Sequence, residues 1–334
     1  MNINQSNSKF FIKLAFEQAK INLGSTGTNP SVGCVVVKNS SVISTGHTSN
    51  KGRPHAEFNA LKKKGNFKDS DLYLSLEPCS HYGKTPPCTN IIIKKKIKTV
   101  NFSMFDIDKR SSHKSVSLFK KKKIKVFSNI LNKRAQDFYK SYLFLHNKKL
   151  PLIDAKIALS KNYLTINTKS KWITNTHSRK RVHLLRSTYD SILSTSKSIN
   201  NDNSLLNCRI EGLEHKSPAI IIIDRNFKLK KNVSLLKNNN KKVFLFTSSN
   251  NKKKEFFFKK KGIKIIKLNK MITTKDFIEI FTKLNTLGYS RLFIESGAIF
   301  LNFLISNKLV NNLYIFKSPK ILKNNSTNSG KLNL

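Results

Sequence analysis

The sequence predicts an α/β protein made of two domains in tandem. Three observations predict it. Helical and strand-like apolar patterns alternate along the chain, a proline-marked break falls near its middle, and 334 residues with 38% hydrophobic content suffice for two cores. Ser8–Asn22 places Phe11, Leu14, Ala15 and Ala19 at mainly helical spacing. Cys34–Val37 and Val42–Thr45 are short β-branched runs around Lys38-Asn39-Ser40-Ser41, the pattern of a hairpin. His55–Lys63 reads as a helix, Leu72–Leu76 as a strand and Thr89–Lys96 as a helix. Thr99–Met104 and Ile124–Phe127 read as strands around a Lys-capped helix, and Asn132–His146 as one closing helix. Pro151 then interrupts, and Leu152–Leu159 opens the second domain, so the expected domains are 1–147 and 148–334. In the second domain, strands are expected at Ser191–Ser194, Ala219–Asp224, Val243–Thr247, Ile263–Leu268, Arg291–Glu295 and Asn312–Phe316. Helices are expected at Asp276–Gly288 and Ala298–Asn307. Such alternation implies helix-covered sheets, largely parallel in their later strands.

Charge is the outlier: 63 basic against 18 acidic residues give +45. An excess of this kind points first to a polyanionic partner. The basic residues are mostly Lys, however, with Arg at only nine positions, and Arg is the side chain that reads phosphates and base edges bidentately. The Lys runs are spread along the chain at expected helix ends and turns, and Asn, Ile, Phe and Lys are enriched together. This reads as the drift of an AT-rich genome, and no specific nucleic-acid partner is expected. The most apolar run, Ala219–Ile223, is far shorter than the ~20 residues of a membrane-spanning helix, so no membrane role is expected. Met1–Lys9 is polar and lacks the pattern of an export signal, which implies a cytoplasmic protein. In that reducing setting Cys34, Cys79, Cys88 and Cys208 read as metal ligands before disulfides. Oligomeric state stays open, a homo-oligomer included.

Two segments carry chemistry: Pro54-His55-Ala56-Glu57, and Glu77-Pro78-Cys79 through Pro86-Pro87-Cys88. A hydrolytic zinc needs three protein ligands and an open position for water. His55 supplies an imidazole, while Cys79 and Cys88 supply thiolates. Glu57 lies two residues past the histidine, where it would face the water without being a ligand and act as the proton shuttle. His-x-Glu alone is uninformative, and either cysteine alone would read as a buried thiol. Their joint order, a His-Ala-Glu helix start followed after one strand by Pro-Cys and a second Cys, is the signature of a zinc deaminase. Eight residues separate the two cysteines here, against two in that signature.

Thr28-Asn29-Pro30-Ser31-Val32-Gly33-Cys34-Val35, the His55 segment, and Leu76-Glu77-Pro78-Cys79-Ser80-His81-Tyr82-Gly83-Lys84-Thr85-Pro86-Pro87-Cys88 resemble the bifunctional riboflavin-biosynthesis deaminase–reductases. The resemblance implies a cytidine-deaminase-like α/β/α zinc domain followed by a dihydrofolate-reductase-like α/β domain. It also implies two reactions. The first is deamination of a diamino-pyrimidinone that carries a phosphoribosylamino group. The second is reduction of the ribosyl to ribityl with NADPH. Asn29, His81 and Lys84 are thereby implied to contact the substrate, although His81 read by itself is equally an exposed loop residue. In the second half, Ser170-Lys171-Trp172-Ile173-Thr174 and Glu295-Ser296-Gly297 resemble family motifs, and Lys156 lies in the first strand. The resemblance implies substrate contacts at Ser170, Arg186, Leu206, Arg209 and Glu295. It implies NADPH contacts at Leu159, Trp172, Ser198, Asp202, Arg225 and Gly297. The arginines suit a sugar phosphate chemically, and Gly297 suits close approach of a cofactor phosphate to a helix start. The bland alternatives are surface arginines and a core Trp172.

Departures are concentrated in the same half. The family's Ser-Leu-Asp-Gly turn is Ser160-Lys161-Asn162-Tyr163 here, its Asp-Asp-Pro is Asp202-Asn203-Ser204, and its Gly-Pro-Thr is Gly297-Ala298-Ile299. Another departure is Phe105-Asp106-Ile107-Asp108-Lys109-Arg110, which keeps an Asp but none of the usual prolines or glycines. Two rival expectations follow: an active deaminase joined to a degenerate or structural second domain, and a basic nucleic-acid deaminase.

Overall fold

A computed structural model describes residues 3–165, 172–237, 242–322 and 332. The chain divides into two compact units, Met1–Lys149 and Leu150–Leu334.

The first unit opens with α1 (Ile3–Lys20), which buries Ile12, Ala15, Phe16 and Ala19 on one face. Strands β1 (Gly33–Lys38) and β2 (Ser41–His47) form the hairpin, with a bulge at Val36/Val37. Then come α2 (Ala56–Leu61), β3 (Asp71–Leu74), α3 (Cys88–Lys94), β4 (Thr99–Phe102), α4 (Lys114–Lys121) and β5 (Lys125–Phe127). The sheet order is β2-β1-β3-β4-β5, antiparallel on either side of β1 and parallel from β3 onward.

The expected single helix over 132–146 is two, α5 (Asn132–Phe138) and α6 (Lys140–Lys148). They break at Tyr139, which leaves helical geometry with φ −88° and ψ 11°. Its ring is buried, and its hydroxyl lies 2.6 Å from Ser75 Oγ and donates to the Ser31 carbonyl at 3.3 Å. Anchoring that side chain in the sheet accompanies the interruption of the helical ladder.

The second unit starts with β6 (Leu152–Leu159), followed by α7 (Thr176–Arg186), β7 (Ser191–Thr195) and α8 (Ser196–Asp202). It continues with β8 (Ala219–Ile223), β9 (Val243–Thr247), α9 (Lys252–Lys260), β10 (Lys264–Lys267) and α10 (Thr274–Thr286). β11 (Arg291–Glu295), α11 (Ala298–Ser306) and β12 (Asn312–Lys317) follow. The sheet order is β10-β9-β8-β7-β11-β6-β12, and its pairs are parallel. Helices cover both faces: Ile221 and Ile223 of β8 join one apolar cluster, while Ile220 and Ile222 join another. Burial on both faces is why this strand is a continuous isoleucine run rather than an alternating one.

Two helices carry no apolar periodicity and were not expected. α8 is polar and starts on Thr195, whose side chain accepts from the Ser198 N–H. α9 opens on three lysines with Asn251 as its cap, and Glu255 pairs with Lys259 and Lys267. The run Lys252–Lys254 therefore sits at a helix start, while the runs at 94–96, 120–123 and 259–261 fall at helix ends as expected.

Candidate active sites

In the first unit, His55 sits at the N-cap of α2 in extended geometry. Cys79 lies in the loop after β3, and Cys88 is the first residue of α3. Helix α2 can lie close on the hairpin because Gly46 is a glycine: a Cβ there would come within 2.3 Å of the Ala56 carbonyl oxygen and 2.6 Å of the Ala60 nitrogen.

The three ligand atoms lie within 4.8 Å of one another. His55 Nδ1 is 3.5 Å from Cys79 Sγ and 3.4 Å from Cys88 Sγ. Tetrahedral zinc with Zn–N near 2.05 Å and Zn–S near 2.3 Å puts such N and S donors about 3.5 Å apart, so both imidazole–thiol distances fit the metal. Hydrogen bonds with Cys88 and with His55 hold the Cys79 thiol well below its ordinary range against burial. Cys88 is pushed up by Cys79 and by burial. Glu57 is 3% exposed in the first turn of α2. Burial, with the negative charge of Cys79 added, pushes its carboxyl up to about 7.

The loop between the cysteines is pinned from several sides. His81 Nδ1 is 2.7 Å from Ser111 Oγ, and the Arg53 guanidinium donates to Thr85 Oγ1. Behind it, the buried carboxylate of Glu77 accepts from the Asp106 and His113 amides at 3.1 Å each and from Ser115 Oγ at 2.6 Å. Asp106 in turn accepts from Tyr142 at 2.8 Å. The loop that lacks the usual prolines and glycines is thus tied to the residue two before Cys79. Asn29 packs against Gly52, whose φ of +84° and closeness to the Asn29 side chain leave no room for a Cβ. Lys84 is exposed. Thr85 falls in the motif segment expected to shape the pocket, whereas Arg53 and Ser111 were not singled out from the sequence, and their only advance signal was nearness to His55 or to Asp106.

In the second unit, Arg186 at the end of α7 meets Glu295 at the end of β11. Arg186 Nε donates to Oε1 at 2.6 Å and Nη2 to Oε2 at 2.9 Å. Lys156 Nζ lies 3.8 Å from the same carboxylate. Burial pushes Glu295 up, but the charges of Arg186 and Lys156 more than offset it and leave the group at about 2. Arg209 reaches the cluster through His183, and Leu206 is buried nearby in sequence with φ +49°.

Ser198 and Gly297 also meet, the Gly297 N–H donating to Ser198 Oγ at 3.1 Å where α11 begins. Leu159, Arg225 and Gly297 lie at or just beyond the C-terminal ends of β6, β8 and β11, the edge at which parallel sheets take nucleotides, so the set fits NADPH. Asp202 is exposed at the end of α8. Trp172 is 46% exposed rather than core, with the Arg179 guanidinium 4.6 Å from its ring centre. Ser170 lies outside the described residues.

The altered turn is closed by a hydrogen bond from the Tyr163 N–H to the Ser160 carbonyl at 3.0 Å. Tyr163 stands at φ +64°, in the left-handed region where the related turn has glycine, at a cost of roughly 1 kcal/mol. Lys317 Nζ lies 4.1 Å from its ring centre and donates to its hydroxyl at 2.9 Å. Asn162 Nδ2 donates to the Leu322 carbonyl at 2.7 Å, and its Oδ1 accepts from the Leu322 N–H at 3.1 Å.

Among the described residues no helix is long and apolar enough to cross a membrane. Residues 5–104 match the cytidine and deoxycytidylate deaminase zinc-binding region, and residues 155–328 match the RibD C-terminal domain. The chain is 32% identical over 317 residues to the riboflavin biosynthesis protein RibD of Aquifex aeolicus, covering 94% of this chain and 87% of the relative. It is 31% identical over 331 residues to the RibD of Buchnera aphidicola, covering 94% and 88%. Among solved structures, Acinetobacter baumannii RibD superposes with a TM-score of 0.85 at 25% identity, over 99% of this chain and 91% of that one. A Thermotoga maritima diaminohydroxyphosphoribosylaminopyrimidine deaminase/5-amino-6-(5-phosphoribosylamino)uracil reductase superposes at 0.83 with 27% identity, over 96% and 89%. The deaminase half precedes the reductase half in one α/β polypeptide, and the chain belongs to the RibD family of riboflavin-biosynthesis deaminase–reductases.

Proposed function

We propose that this enzyme deaminates 2,5-diamino-6-(5-phosphoribosylamino)pyrimidin-4-one and then reduces the ribosyl group of the product to ribityl. The observation that carries the first step is the triad of His55, Cys79 and Cys88 with buried Glu57 beside it. In this reading the triad holds zinc, which supplies Lewis acidity that makes water nucleophilic at neutral pH. Glu57 takes the proton of the attacking water, gives it to the ring nitrogen and then helps the amine leave as ammonia. A carboxyl poised near 7 suits both taking and giving a proton. Asn29, His81 and Lys84 would contact the substrate, with Ser111 and Arg53 holding the loop that carries the last two.

For the second step NADPH supplies the hydride. Arg209, exposed and cationic, binds the substrate phosphate, while Arg186 has three of its donor contacts spent on Glu295 and the Asn207 carbonyl. Arg186 therefore orients Glu295 for the substrate more than it grips phosphate itself. Leu206 and Ser170 complete the substrate side, and Leu159, Trp172, Ser198, Asp202, Arg225 and Gly297 the cofactor side. The hydrogen-bonded turn at Ser160–Tyr163 and the Arg186–Glu295 pair support a working reductase over a degenerate one. Four free cysteines, two of them in the candidate metal site, suit a reducing compartment and support a cytoplasmic enzyme.

The test is incubation of purified protein with the pyrimidine substrate, with and without NADPH, read by product mass. Exchange of an amino for an oxo group without NADPH, then addition of two hydrogens with it, is the expected result. No mass change in the first incubation refutes the deaminase reading. Deamination without NADPH consumption refutes the reductase reading.

A further inference from the structure

We propose that His183 is a positioning residue of the reductase, which aims Arg209 at the phosphate of the substrate. The inference rests on the reading of Arg209 as the phosphate ligand. His183 lies in α7 and is 9% exposed. Its Nε2 faces two donors of one guanidinium, Arg209 Nε at 3.3 Å and Nη2 at 3.1 Å. Its Nδ1 lies 2.9 Å from the Asn207 carbonyl oxygen and 3.3 Å from Arg186 Nη1.

These partners define the tautomer. Nε2 faces guanidinium donors alone, so it must be the unprotonated, accepting nitrogen; Nδ1 has a carbonyl acceptor at 2.9 Å, closer than Arg186 Nη1, which itself donates to that carbonyl, so Nδ1 carries the proton and donates to Asn207. The Asn207 carbonyl also accepts from Arg186 Nη1 at 2.9 Å. The strand-end cluster of Arg186 and Glu295, the backbone at Asn207, the imidazole and Arg209 thus form one chain of hydrogen bonds. His183 is the link through which the exposed arginine is held.

The charged groups facing the ring are Arg186 on its own helix, Arg209 on the segment after α8, and Glu295 on β11. Burial, then the charges of Arg186 and Arg209, holds the imidazole down at about 4, so it is neutral and accepting at neutral pH. A long exposed arginine loses rotamer freedom when it is fixed, and a free one would have to lose that freedom on binding the substrate. Holding it beforehand moves that loss from the binding step into the fold.

The experiment uses the full chain and compares His183→Leu, His183→Gln, Arg209→Ala and the His183→Leu/Arg209→Ala double variant. KM and kcat for reduction are measured with the deaminated substrate and with its dephosphorylated form. Loss of the link should raise KM for the phosphorylated substrate about 5- to 10-fold. It should leave kcat and the dephosphorylated substrate nearly unchanged. Gln carries its acceptor at the reach of Nε2 and should recover most of the loss. In the Arg209→Ala background His183→Leu should add nothing. An equal KM rise on the dephosphorylated substrate, a further rise in the double variant, or failure of the folded Gln variant to recover overturns the proposal. A raised KM in Arg209→Ala with an unaffected His183→Leu refutes the role of His183 alone. An unchanged KM in Arg209→Ala refutes the phosphate assignment beneath it.

Discussion

Glu295→Gln isolates the buried charge pair of the second unit while nearly preserving its shape. In the native protein the carboxylate takes two charge-assisted hydrogen bonds from Arg186, at 2.6 and 2.9 Å, with both side chains 11% exposed. The amide keeps one acceptor but turns an NH2 toward Arg186 Nη2, so one bond becomes a donor facing a donor. Losing a bond of that kind costs roughly 1.5–3 kcal/mol. Leaving Arg186 buried without its counter-charge raises the cost toward ~3–5 kcal/mol. A second route gives a similar figure: the depression of Glu295 from 4.5 to about 2 converts to roughly 3 kcal/mol. For a unit of this size that is about 6–12 °C in Tm, readable by scanning calorimetry.

The pH dependence has a definite sign. Because the folded pKa lies below the unfolded one, the stabilisation is complete above pH ~4.5 and is lost as pH falls toward 2. The gap between wild type and Glu295→Gln should therefore be full at pH 7 and shrink below pH ~4. Replacing both partners, as Arg186→Met/Glu295→Leu, should cost less than the two single changes together, since the buried guanidinium no longer stands unpaired and only the partly exposed Lys156 loses a neighbour. A gap under ~1 kcal/mol at pH 7, or one that does not narrow in acid, would refute the assignment of this stabilisation to the ion pair.

Three further outcomes are expected in the first unit. Cys79→Ser should lose bound zinc and deaminase activity together, and metal analysis that shows full zinc in this variant would remove Cys79 from the ligand set. Glu57→Gln should retain zinc yet deaminate about 10²–10⁴-fold more slowly, as for loss of a general acid/base; turnover near the wild-type rate would exclude the proton-shuttle role. Gly46→Ala should push α2 off the hairpin, because its Cβ would meet the Ala56 carbonyl. Weaker zinc retention and a lower Tm are the signs, and an unchanged affinity for zinc would show that α2 adjusts freely.

Much of the fold was legible because its signals are local. The isoleucine run of β8 has to be buried on both faces, and the β-branched hairpin around residues 38–41 needs little long-range information. The candidate metal donors were legible for a different reason: few residue types can hold zinc, so His55, Cys79 and Cys88 stand out in any context, and the structure brings them together. By itself the sequence thus determined the two-unit α/β plan, the order of the motifs and the donor chemistry. Tertiary structure decided what depends on partners distant in sequence. The split at Tyr139 accompanies a hydroxyl that meets Ser75 and Ser31, and the Ser160–Tyr163 turn is held by Lys317 and Leu322. The difference between a buried, paired Arg186 and an exposed Arg209 needed Glu295, which lies 109 positions from Arg186, and a histidine with no motif around it. A guanidinium looks the same in sequence whether its donors are spent on a buried carboxylate or turned toward solvent, and only packing decides which.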